Sequence, residues 1–309
     1  MSAITVTILG AGAWGLALAE LARRAGHSVR LWSRRLEEPL ATAIAGTEII
    51  VSAVSMAGVT PMADRLQALS LPSNLILVSA TKGLDPVTTR TPSQVWQAAL
   101  PHQAIAVLSG PNLSQEIQQG LPAATVVASR DLATATQVQQ VFASPRFRVY
   151  TNTDILGTEL GGTLKNVMAI AAGVCDGLCL GTNAKSALLT RALPEMIRIG
   201  TRLGAKADTF FGLSGLGDLL ATCNSPLSRN YQVGYGLAQG RRLNDVLASL
   251  KGTAEGINTA RVLVAIADRE QIPIPVAREV YRLLQGEITP QAALAALMER
   301  DLKPEDPRF

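Results

Sequence analysis

Residues 4–26 read ITVTILGAGAWGLALAELARRAG, and this stretch decides the fold. A β-branched run leads directly into a glycine-rich turn, and the turn leads into an apolar pattern with helical spacing. The turn has the spacing G-x-G-x-x-G, in which the first glycine permits a tight turn, the second lets a pyrophosphate approach the backbone, and the third allows close helix–sheet packing. The stretch predicts a dinucleotide-binding βα unit, against the alternative of a glycine-rich turn in an ordinary βα unit. The expected cofactor contacts of this turn are Gly10, Gly12 and Gly15.

The rest of the first half continues the same alternation of strands and helices. Further candidate strands are SVRLW (28–32), IIVSAV (49–54), LILVSA (75–80), AIAVLS (104–109) and ATVVAS (124–129). From about residue 154 onward the spacing is helical, and no convincing strand interrupts it. We therefore predict a Rossmann-like, doubly wound α/β domain with a mainly parallel sheet over residues 1–153, followed by an all-α domain over residues 154–309. Thr153 or Asp154 is the expected cap of the first helix of that domain, and the terminal KPEDPRF (303–309) is expected to be loose.

The composition narrows the class of protein. A chain of 309 residues favours two domains, and 48% hydrophobic with 17% charged residues excludes a disordered chain. The net charge of +4 suits an anionic small substrate, and the basic residues do not form the long stripe that nucleic acids require. No apolar run approaches the roughly 18 residues of a membrane span. Three cysteines without a CxxC pair indicate a reducing compartment, the cytoplasm, and with two histidines they predict no metal site.

The end of the second strand predicts which nicotinamide cofactor binds. An NAD-preferring site normally has an acidic residue there, about 20 residues after the glycines, to bind the ribose 2′-hydroxyl. This chain reads LWSRRLEE (31–38), with Arg34 and Arg35 in that place. Because guanidinium groups match a 2′-phosphate, we predict NADPH or NADP as the cofactor, with NADH or NAD as the alternative. If the arginines are simply solvated, this preference has no basis.

Three further segments carry polar residues that suit a phosphorylated substrate. SATKG (79–83) follows a strand, which places Lys82 at the carboxyl edge of the sheet, where open α/β sheets bind ligands. In SGPNLSQE (109–116), Asn112 is the expected N-cap of a helix, with Gln115 in the capping-box position. The third segment, GLSGLGDLLATCNSPLSRN (212–230), offers the arginine fork and the amide and hydroxyl donors that a phosphate dianion requires. Its polar residues are Asp218, Thr222, Ser228, Arg229 and Asn230.

Lys165 is the only ionisable residue in the helical stretch GGTLKNVMAIAAG (161–173). Its helical neighbours are Gly161, Ala169, Ala172 and Gly173, a face so small that it either admits another backbone closely or leaves room for a ligand. A ligand explains the lysine better. Partial desolvation would lower the pKa of Lys165 towards roughly 7 or 8, the range useful for general acid–base catalysis, while Asp218 and a bound phosphate would oppose that fall. The alternative is a lysine that extends from a buried helix to the surface.

Together these residues resemble the NAD(P)-dependent glycerol-3-phosphate dehydrogenases of the bacterial type. GAGAWG, SATKGL, LSGP, GTLKNVMAIAAGVCDGL, GLGDLLAT, SRN and AEGINTA occur in the family's order, and the resemblance covers almost the whole chain. GAGAWG is generic, but LKN with GLGDL and SRN is highly specific. The resemblance implies reduction of dihydroxyacetone phosphate with NAD(P)H, a product that feeds glycerophospholipid synthesis, and a homodimer.

The resemblance also implies roles for individual residues. Lys165 is the implied proton acceptor, and Asp218 and Thr222 are grouped with it as candidate catalytic residues. The expected substrate contacts are Lys82, Gly110, Asn112, Lys165, Asp218, Ser228, Arg229 and Asn230. The cofactor contacts expected beyond the three glycines are Ala13, Trp14, Arg34, Arg35, Lys82, Ser114, Arg229, Thr253 and Glu255.

Several positions depart from the family's pattern. Asn112 stands where the family usually has serine, Ser114 where it has alanine, and Thr253 where it has valine. The family's AVP after the third strand is AVS here, at residues 53–55. Only about fifteen residues separate the second and third strands, by the strand limits inferred from the pattern, whereas the family typically inserts a longer segment. We expect this shortening to affect the adenine side of the cofactor site.

Two other functions remain open at this point. A β-hydroxyacid dehydrogenase of the 6-phosphogluconate type also follows a Rossmann domain with helices and uses a helical lysine. Those enzymes pair the lysine with an asparagine one turn later, whereas here Asn166 is adjacent and Ala169 occupies that place, which argues against this function. A non-catalytic NADPH-sensing module is the third alternative, and the complete set of Lys165, Asp218 and Arg229 argues against it.

Overall fold

The computed structural model describes residues 3–302 and residue 305, so the prediction for the segment 303–309 lies outside the described residues except at Glu305. The first half forms one seven-stranded sheet in the order β2-β1-β3-β4-β5-β6-β7. Its neighbouring strands run parallel except for β5 and β6, which are antiparallel, so the predicted mainly parallel sheet is confirmed. The strands are β1 Thr5–Leu9, β2 Ser28–Trp32, β3 Ile49–Ser52, β4 Ile76–Ser79, β5 Ala104–Ser109, β6 Ala123–Ser129 and β7 Phe147–Asn152.

Strand β7 is absent from the sequence prediction, and its burial pattern explains why. Phe147 and Val149 are buried, but Arg148 and Tyr150 between them are exposed. The strand lies at the edge of the sheet and alternates apolar with polar residues, unlike the continuous apolar runs of β3 and β4. Two predicted strands also extended too far, because the chain leaves β3 and β4 at Ser52 and Ser79 to form loops at the carboxyl edge of the sheet.

Helices cover both faces of the sheet. One apolar cluster joins α1 and α6 to one face through Val6, Val51 and Val78, and a second joins α3 and α4 to the other face through Ile50 and Leu77. This arrangement confirms the doubly wound α/β fold. The helices are α1 Ala13–Arg24, α2 Leu40–Ile44, α3 Met56–Gln67, α4 Pro92–Ala99, α5 Ser114–Gln118 and α6 Leu132–Phe142.

The strand order fixes where a ligand can bind. The chain passes from β1 outward to β2 and then returns across β1 to β3, so that β1 and β3 are neighbours with connections leaving to opposite sides. In open α/β sheets, the crevice outside the carboxyl ends of two such strands is the binding site. The glycine turn follows β1, and residues 53–55 follow β3, so both segments border this crevice.

In the second half, all regular secondary structure of the described residues is helical. A short 3₁₀ segment, Ala207–Phe211, and a π-helical turn, Leu213–Gly217, lie between α8 and α9. The helices are α7 Ile155–Gly177, α8 Gly181–Arg202, α9 Asp218–Cys223, α10 Arg229–Ala238, α11 Leu243–Ser249, α12 Glu255–Glu270, α13 Pro275–Leu284 and α14 Pro290–Met298. Of the helices in the described part of the chain, none has both the length and the apolar composition needed to cross a bilayer.

Helix α7 is the central element of this half, and most of its residues are buried, including the polar Glu159, Lys165 and Asn166. Asp154 caps it by accepting a hydrogen bond from the Gly157 amide at 2.9 Å, which confirms one of the two predicted caps. The structure passes from strand to helix between Asn152 and Ile155. The division into domains at residues 153 and 154 remains our proposal.

Candidate active site

A cavity of about 880 Å³ lies at the carboxyl end of the sheet and is lined by residues from both halves of the chain. The first half supplies the loops after β1, β2, β3, β4 and β5, and the second half supplies α7, α9, the start of α10 and residues 249–255. A volume of this size is typical of a small-molecule or cofactor site.

Two glycines of the turn lie so close to backbone carbonyl oxygens that a side chain would not fit there. Gly10 has a φ of 116°, and a Cβ atom there would lie 2.7 Å from the carbonyl oxygen of Ala53. At Gly15 a Cβ atom would collide with the carbonyl oxygen of Gly10. At Gly12, by contrast, a Cβ atom would meet none of the described atoms within 4 Å, because this glycine faces the cavity beside Ala13 and Trp14. An open glycine at the N-terminus of α1 fits the pyrophosphate of a dinucleotide, since the amides of a helix N-terminus attract anions.

The two arginines after β2 differ in position. Both are exposed, but Arg35 lines the cavity, whereas Arg34 lies outside its lining. The loop that carries them is held by Trp32, whose indole Nε1 donates a hydrogen bond to the carbonyl oxygen of Glu38 at 2.8 Å. Of the pair, Arg35 is therefore the one that borders the cavity.

Four polar side chains from α7, α9 and the loop after β4 meet in the cavity. The Nζ atom of Lys165 donates to the Thr222 hydroxyl at 2.5 Å and lies 3.1 Å from Oδ1 of Asp218. The Thr222 hydroxyl donates to the same carboxylate oxygen at 3.0 Å. The Nζ atom of Lys82 donates to Oδ2 of Asp218 at 2.5 Å and to the carbonyl oxygen of Gly110 at 3.1 Å. Asp218 therefore bridges two lysines, and we call these four side chains the lysine–aspartate cluster.

Burial sets the protonation behaviour of Lys165. The residue is only 6% exposed, so the alternative in which its side chain extends to the surface does not hold. Desolvation lowers the pKa of Lys165 to about 8, and the positive charge of Lys82 acts in the same direction, while Asp218 opposes both. This is the direction expected from the sequence, and an amine with such a pKa exchanges protons near neutral pH.

The small face of α7 admits other backbones closely, which is one of the two explanations given for it from the sequence, and the expectation that a ligand explains Lys165 stays a prediction. A Cβ atom at Gly161 would lie 2.8 Å from the carbonyl oxygen of Ser214, and one at Gly173 would collide with the carbonyl oxygen of Tyr231. Thus the π-helical turn and α10 both approach α7 closely. Lys165 lies between these two approaches and lines the cavity.

The start of α10 places three predicted residues on the cavity wall. Ser228 caps the helix by accepting a hydrogen bond from the Tyr231 amide at 3.2 Å. Asn230 donates to Oδ1 of Asn166 at 2.9 Å and accepts from the Gly256 amide at 2.9 Å, so it also ties α10 to α7 and α12. A helix N-terminus next to the Arg229 guanidinium is suited to an anion such as phosphate.

Glu255 joins the two halves of the chain at the cavity wall. Its Oε1 atom accepts hydrogen bonds from the Met56 amide and from the Thr253 hydroxyl, each at 3.3 Å. Burial raises the pKa of Glu255, and the Arg229 guanidinium partly counteracts this. Burial in turn lowers the pKa of Arg229, with Glu255 opposing. Thr253 and Glu255 line the cavity, and their role as cofactor contacts stays a prediction.

The segment after β5 differs from its prediction in one respect. Helix α5 begins at Ser114, and Leu113 is its N-cap without a side-chain bond, so the predicted Asn112 cap with Gln115 in a capping box is wrong. Asn112 instead donates to the Thr125 hydroxyl at 2.9 Å, because its side chain turns back toward β6. Asn112 and Ser114 both line the cavity, and Gly110 reaches the site through its carbonyl contact with Lys82.

Sequence reasoning missed several residues of the cavity wall. Ala53, Val54 and Ser55 line it directly after β3, and the rule that ligands bind at the carboxyl ends of strands would have identified them. Lys251 also lines the wall, from the loop between α11 and α12, and a lone basic residue in such a loop gives no signal. Asn166, which was considered only as a neighbour of Lys165, also lines the cavity and holds Asn230.

Comparison with protein-family models gives two matches. The model described as "NAD-dependent glycerol-3-phosphate dehydrogenase C-terminus" matches residues 154–295. The model described as "NAD-dependent glycerol-3-phosphate dehydrogenase N-terminus" matches residues 5–39 and 35–135. The second match divides within the segment between β2 and β3 that the sequence analysis found to be short.

Similar proteins and structures carry the same name. The chain is 64% identical over 305 residues to the glycerol-3-phosphate dehydrogenase [NAD(P)+] of Acaryochloris marina, covering 99% of this chain and 98% of the relative. It is 64% identical over 300 residues to the enzyme of that name from Synechocystis sp., covering 97% and 95%. The crystal structure of glycerol-3-phosphate dehydrogenase from Coxiella burnetii superposes with a TM-score of 0.92 at 33% identity, covering 96% of this chain and 99% of that one.

Proposed function

The chain belongs to the NAD-dependent glycerol-3-phosphate dehydrogenase family, and on this premise we propose that it interconverts dihydroxyacetone phosphate and sn-glycerol 3-phosphate by hydride transfer with NAD(P)H. The observation that carries the proposal is the buried amine of Lys165, held by Asp218 and Thr222 on the wall of a cavity that begins at the glycine turn. The two alternative functions have no comparable support.

Lys165 is the proposed acid and base. In the reduction direction its ammonium group donates a proton to the oxygen at C2 of the substrate, and in the oxidation direction its neutral amine accepts that proton. When bound, the nicotinamide cofactor supplies or removes the hydride at C2. A pKa of about 8 suits both directions, because each form of the amine is populated near neutral pH.

Asp218 and Thr222 keep this amine in place. The Thr222 hydroxyl accepts from Lys165 and donates to Asp218, so it links the amine to the carboxylate. Lys82 neutralises the second oxygen of the Asp218 carboxylate, and it is the other cation on this part of the wall. A pair of cations around one carboxylate leaves a net positive charge, which attracts an anionic substrate.

Arg229, with the first turn of α10, is the proposed anchor of the substrate phosphate. Binding energy gathered at the phosphate can serve the reaction at C2, so dihydroxyacetone without its phosphate should lose kcat as well as affinity. Arg35 is the proposed contact for the 2′-phosphate of NADPH, which favours NADPH over NADH. The described residues on this wall include no acidic side chain after β2 to hold a free 2′-hydroxyl.

The remaining parts of the proposal concern the setting of the enzyme. We propose a cytoplasmic homodimer whose product serves glycerophospholipid synthesis, since glycerol 3-phosphate is the backbone of those lipids. Three unpaired cysteines are compatible with a reducing compartment. Light scattering after size-exclusion chromatography tests the dimer.

A spectrophotometric assay of the purified protein tests the function. We expect NADPH to be consumed with dihydroxyacetone phosphate and not without it, and we expect no NADPH to form from NADP⁺ with 6-phosphogluconate. Turnover of 6-phosphogluconate would favour the β-hydroxyacid alternative. A protein that binds NADPH but turns over neither substrate would favour the sensing module.

A further inference from the structure

The loop that carries Lys82 belongs to the first half by sequence but is anchored in the second half. Leu84 is 1% exposed and packs in the apolar core of the helical half, with Leu164 and Leu263 among its members. The carbonyl oxygen of Leu84 accepts a hydrogen bond from Nδ2 of Asn258 at 2.8 Å. The residue next to Lys82 is held as well, because the Gly83 amide donates to the Thr163 hydroxyl oxygen at 3.0 Å.

Thr163 is well placed to act on Lys82. It is fully buried on α7, two residues before Lys165, and it accepts an amide that would otherwise be buried without a partner. The preceding residue, Gly162, leaves room for two side chains, because a Cβ atom there would collide with Oγ of Ser109 and would lie 3.3 Å from Cε of Lys82. One turn of α7 therefore supports the backbone and side chain of Lys82 and also carries Lys165.

We propose that Thr163, together with Asn258, is a positioning residue that holds Lys82 against Asp218 and thereby keeps its positive charge close to Lys165. The kinetic part of this inference rests on the proposed function, whereas the geometric part does not. Neither residue touches the cavity, so each acts through the loop.

The consequence for Lys165 follows from the charges around it. The groups that act on its amine are Lys82 from the loop after β4, and Asp218 and Cys223 from α9. Lys82 lowers the pKa of Lys165, and it also occupies one oxygen of Asp218. When Lys82 moves away, a repulsion is lost and Asp218 is freed for Lys165, so the pKa of Lys165 should rise.

Two substitutions of Thr163 separate the hydrogen bond from its packing. Thr163→Val has nearly the same shape but cannot accept the Gly83 amide, whereas Thr163→Ser retains the acceptor. A matched control lies on the same helix: Thr158 is fully buried, and its hydroxyl has no hydrogen-bond partner among the described residues. Thr158→Val therefore makes the same chemical change without breaking a bond to the loop. Asn258→Ala removes the other anchor of the loop, which is the hydrogen bond to the Leu84 carbonyl oxygen. This variant replaces Thr163→Val as the test if Thr163→Val does not fold.

The measurement is the pKa of Lys165 in the full-length protein without substrate. Trace labelling with acetic anhydride across pH, followed by peptide mass spectrometry, gives this pKa from the reactivity of the amine. We expect it to rise by about 0.5 to 1 pH unit in Thr163→Val and by less in Asn258→Ala, and to stay at the wild-type value in Thr163→Ser and Thr158→Val. The pH profile of kcat/KM for glycerol 3-phosphate oxidation should shift by the same amount.

The outcomes distinguish this inference from the proposed function. A folded Thr163→Val with an unchanged Lys165 pKa, or a shift that Thr163→Ser does not reverse, would overturn the positioning role. An equal rise of the Lys165 pKa in Thr158→Val would also overturn it, because such a rise would indicate a general effect of packing. If Thr163→Val shows the labelling shift but the wild-type protein does not turn over dihydroxyacetone phosphate, the function is overturned and the positioning role stands.

Discussion

The glycine turn after β1 and the lysine–aspartate cluster border the same cavity but are built in opposite ways. The turn is contiguous in sequence, and it depends on the absence of side chains at Gly10, Gly12 and Gly15. The cluster is assembled from Lys82, Lys165, Asp218 and Thr222, which lie far apart in sequence, and it depends on side-chain charge.

This difference determines how each region should respond to substitution. A change in the turn alters the shape of the backbone, so it should act on cofactor binding and on stability. A change in the cluster leaves a buried charge or donor without its partner, so it should act on proton transfer and substrate binding, where the free-energy costs are larger.

The largest effect on turnover is expected from a substitution of Lys165. Lys165→Ala removes the only group that we place at the C2 oxygen, so kcat should fall on the order of 10² to 10⁴ while the fold is retained. Steady-state assays should be paired with a fluorescence titration of NADPH, whose dissociation constant should change little. Near-full turnover in this variant would contradict the assignment of Lys165.

Arg229→Ala should affect substrate binding more than turnover. Charge-assisted hydrogen bonds of an arginine to phosphate contribute about 1.5 to 3 kcal/mol, so the KM for dihydroxyacetone phosphate should rise roughly ten- to hundredfold. Arg229→Lys keeps the charge but not the fork, and it should give an intermediate KM. An unchanged KM in Arg229→Ala would remove the phosphate role.

Two alanine substitutions within the glycine turn should give different results. In Gly15→Ala the new Cβ atom collides with the Gly10 carbonyl, so the free energy of unfolding should fall by about 1 to 3 kcal/mol, which is measurable as a lower Tm. Gly12→Ala points into open space, so its Tm should stay near the wild-type value while the KM for NADPH rises. Equal losses of Tm in both variants would contradict the division of roles within the turn.

The smallest effect is expected at the exposed arginines after β2. Arg35→Ala should lower the ratio of kcat/KM for NADPH over NADH about two- to fivefold, because an exposed ion pair contributes little. Arg34→Ala should lower it less, since Arg34 lies outside the lining of the cavity. The preference for NADPH would be contradicted if the wild-type protein had similar kcat/KM values for NADPH and NADH. The ratio of these values would then also stay the same in a variant that carries both Arg34→Ala and Arg35→Ala.

The same contrast explains what the sequence could predict. The glycine turn and the strands β1 to β6 are local patterns, and they were found because their signals lie within a few consecutive residues. Asp154 was identified as a cap for the same reason. Strand β7 was missed because its half-exposed edge pattern gives a weaker signal, and the expected Asn112 cap failed because a tertiary bond to Thr125 took its side chain.

The cluster could be predicted only in part. Its members were named from their chemistry and from the family resemblance, but no spacing in the sequence reveals that Asp218 bridges Lys82 and Lys165. The anchoring of the Lys82 loop by Thr163 was beyond sequence reasoning altogether, because a buried threonine in an apolar helix looks like a packing residue.

The pH dependence of kcat/KM for glycerol 3-phosphate oxidation tests the central claim most directly. In this direction Lys165 must be a neutral amine, so activity should rise with pH and level off above an apparent pKa of about 8, and the reduction should show the opposite trend as the ammonium is lost. A profile for oxidation that is flat between roughly pH 6.5 and 9.5 would contradict proton transfer by Lys165.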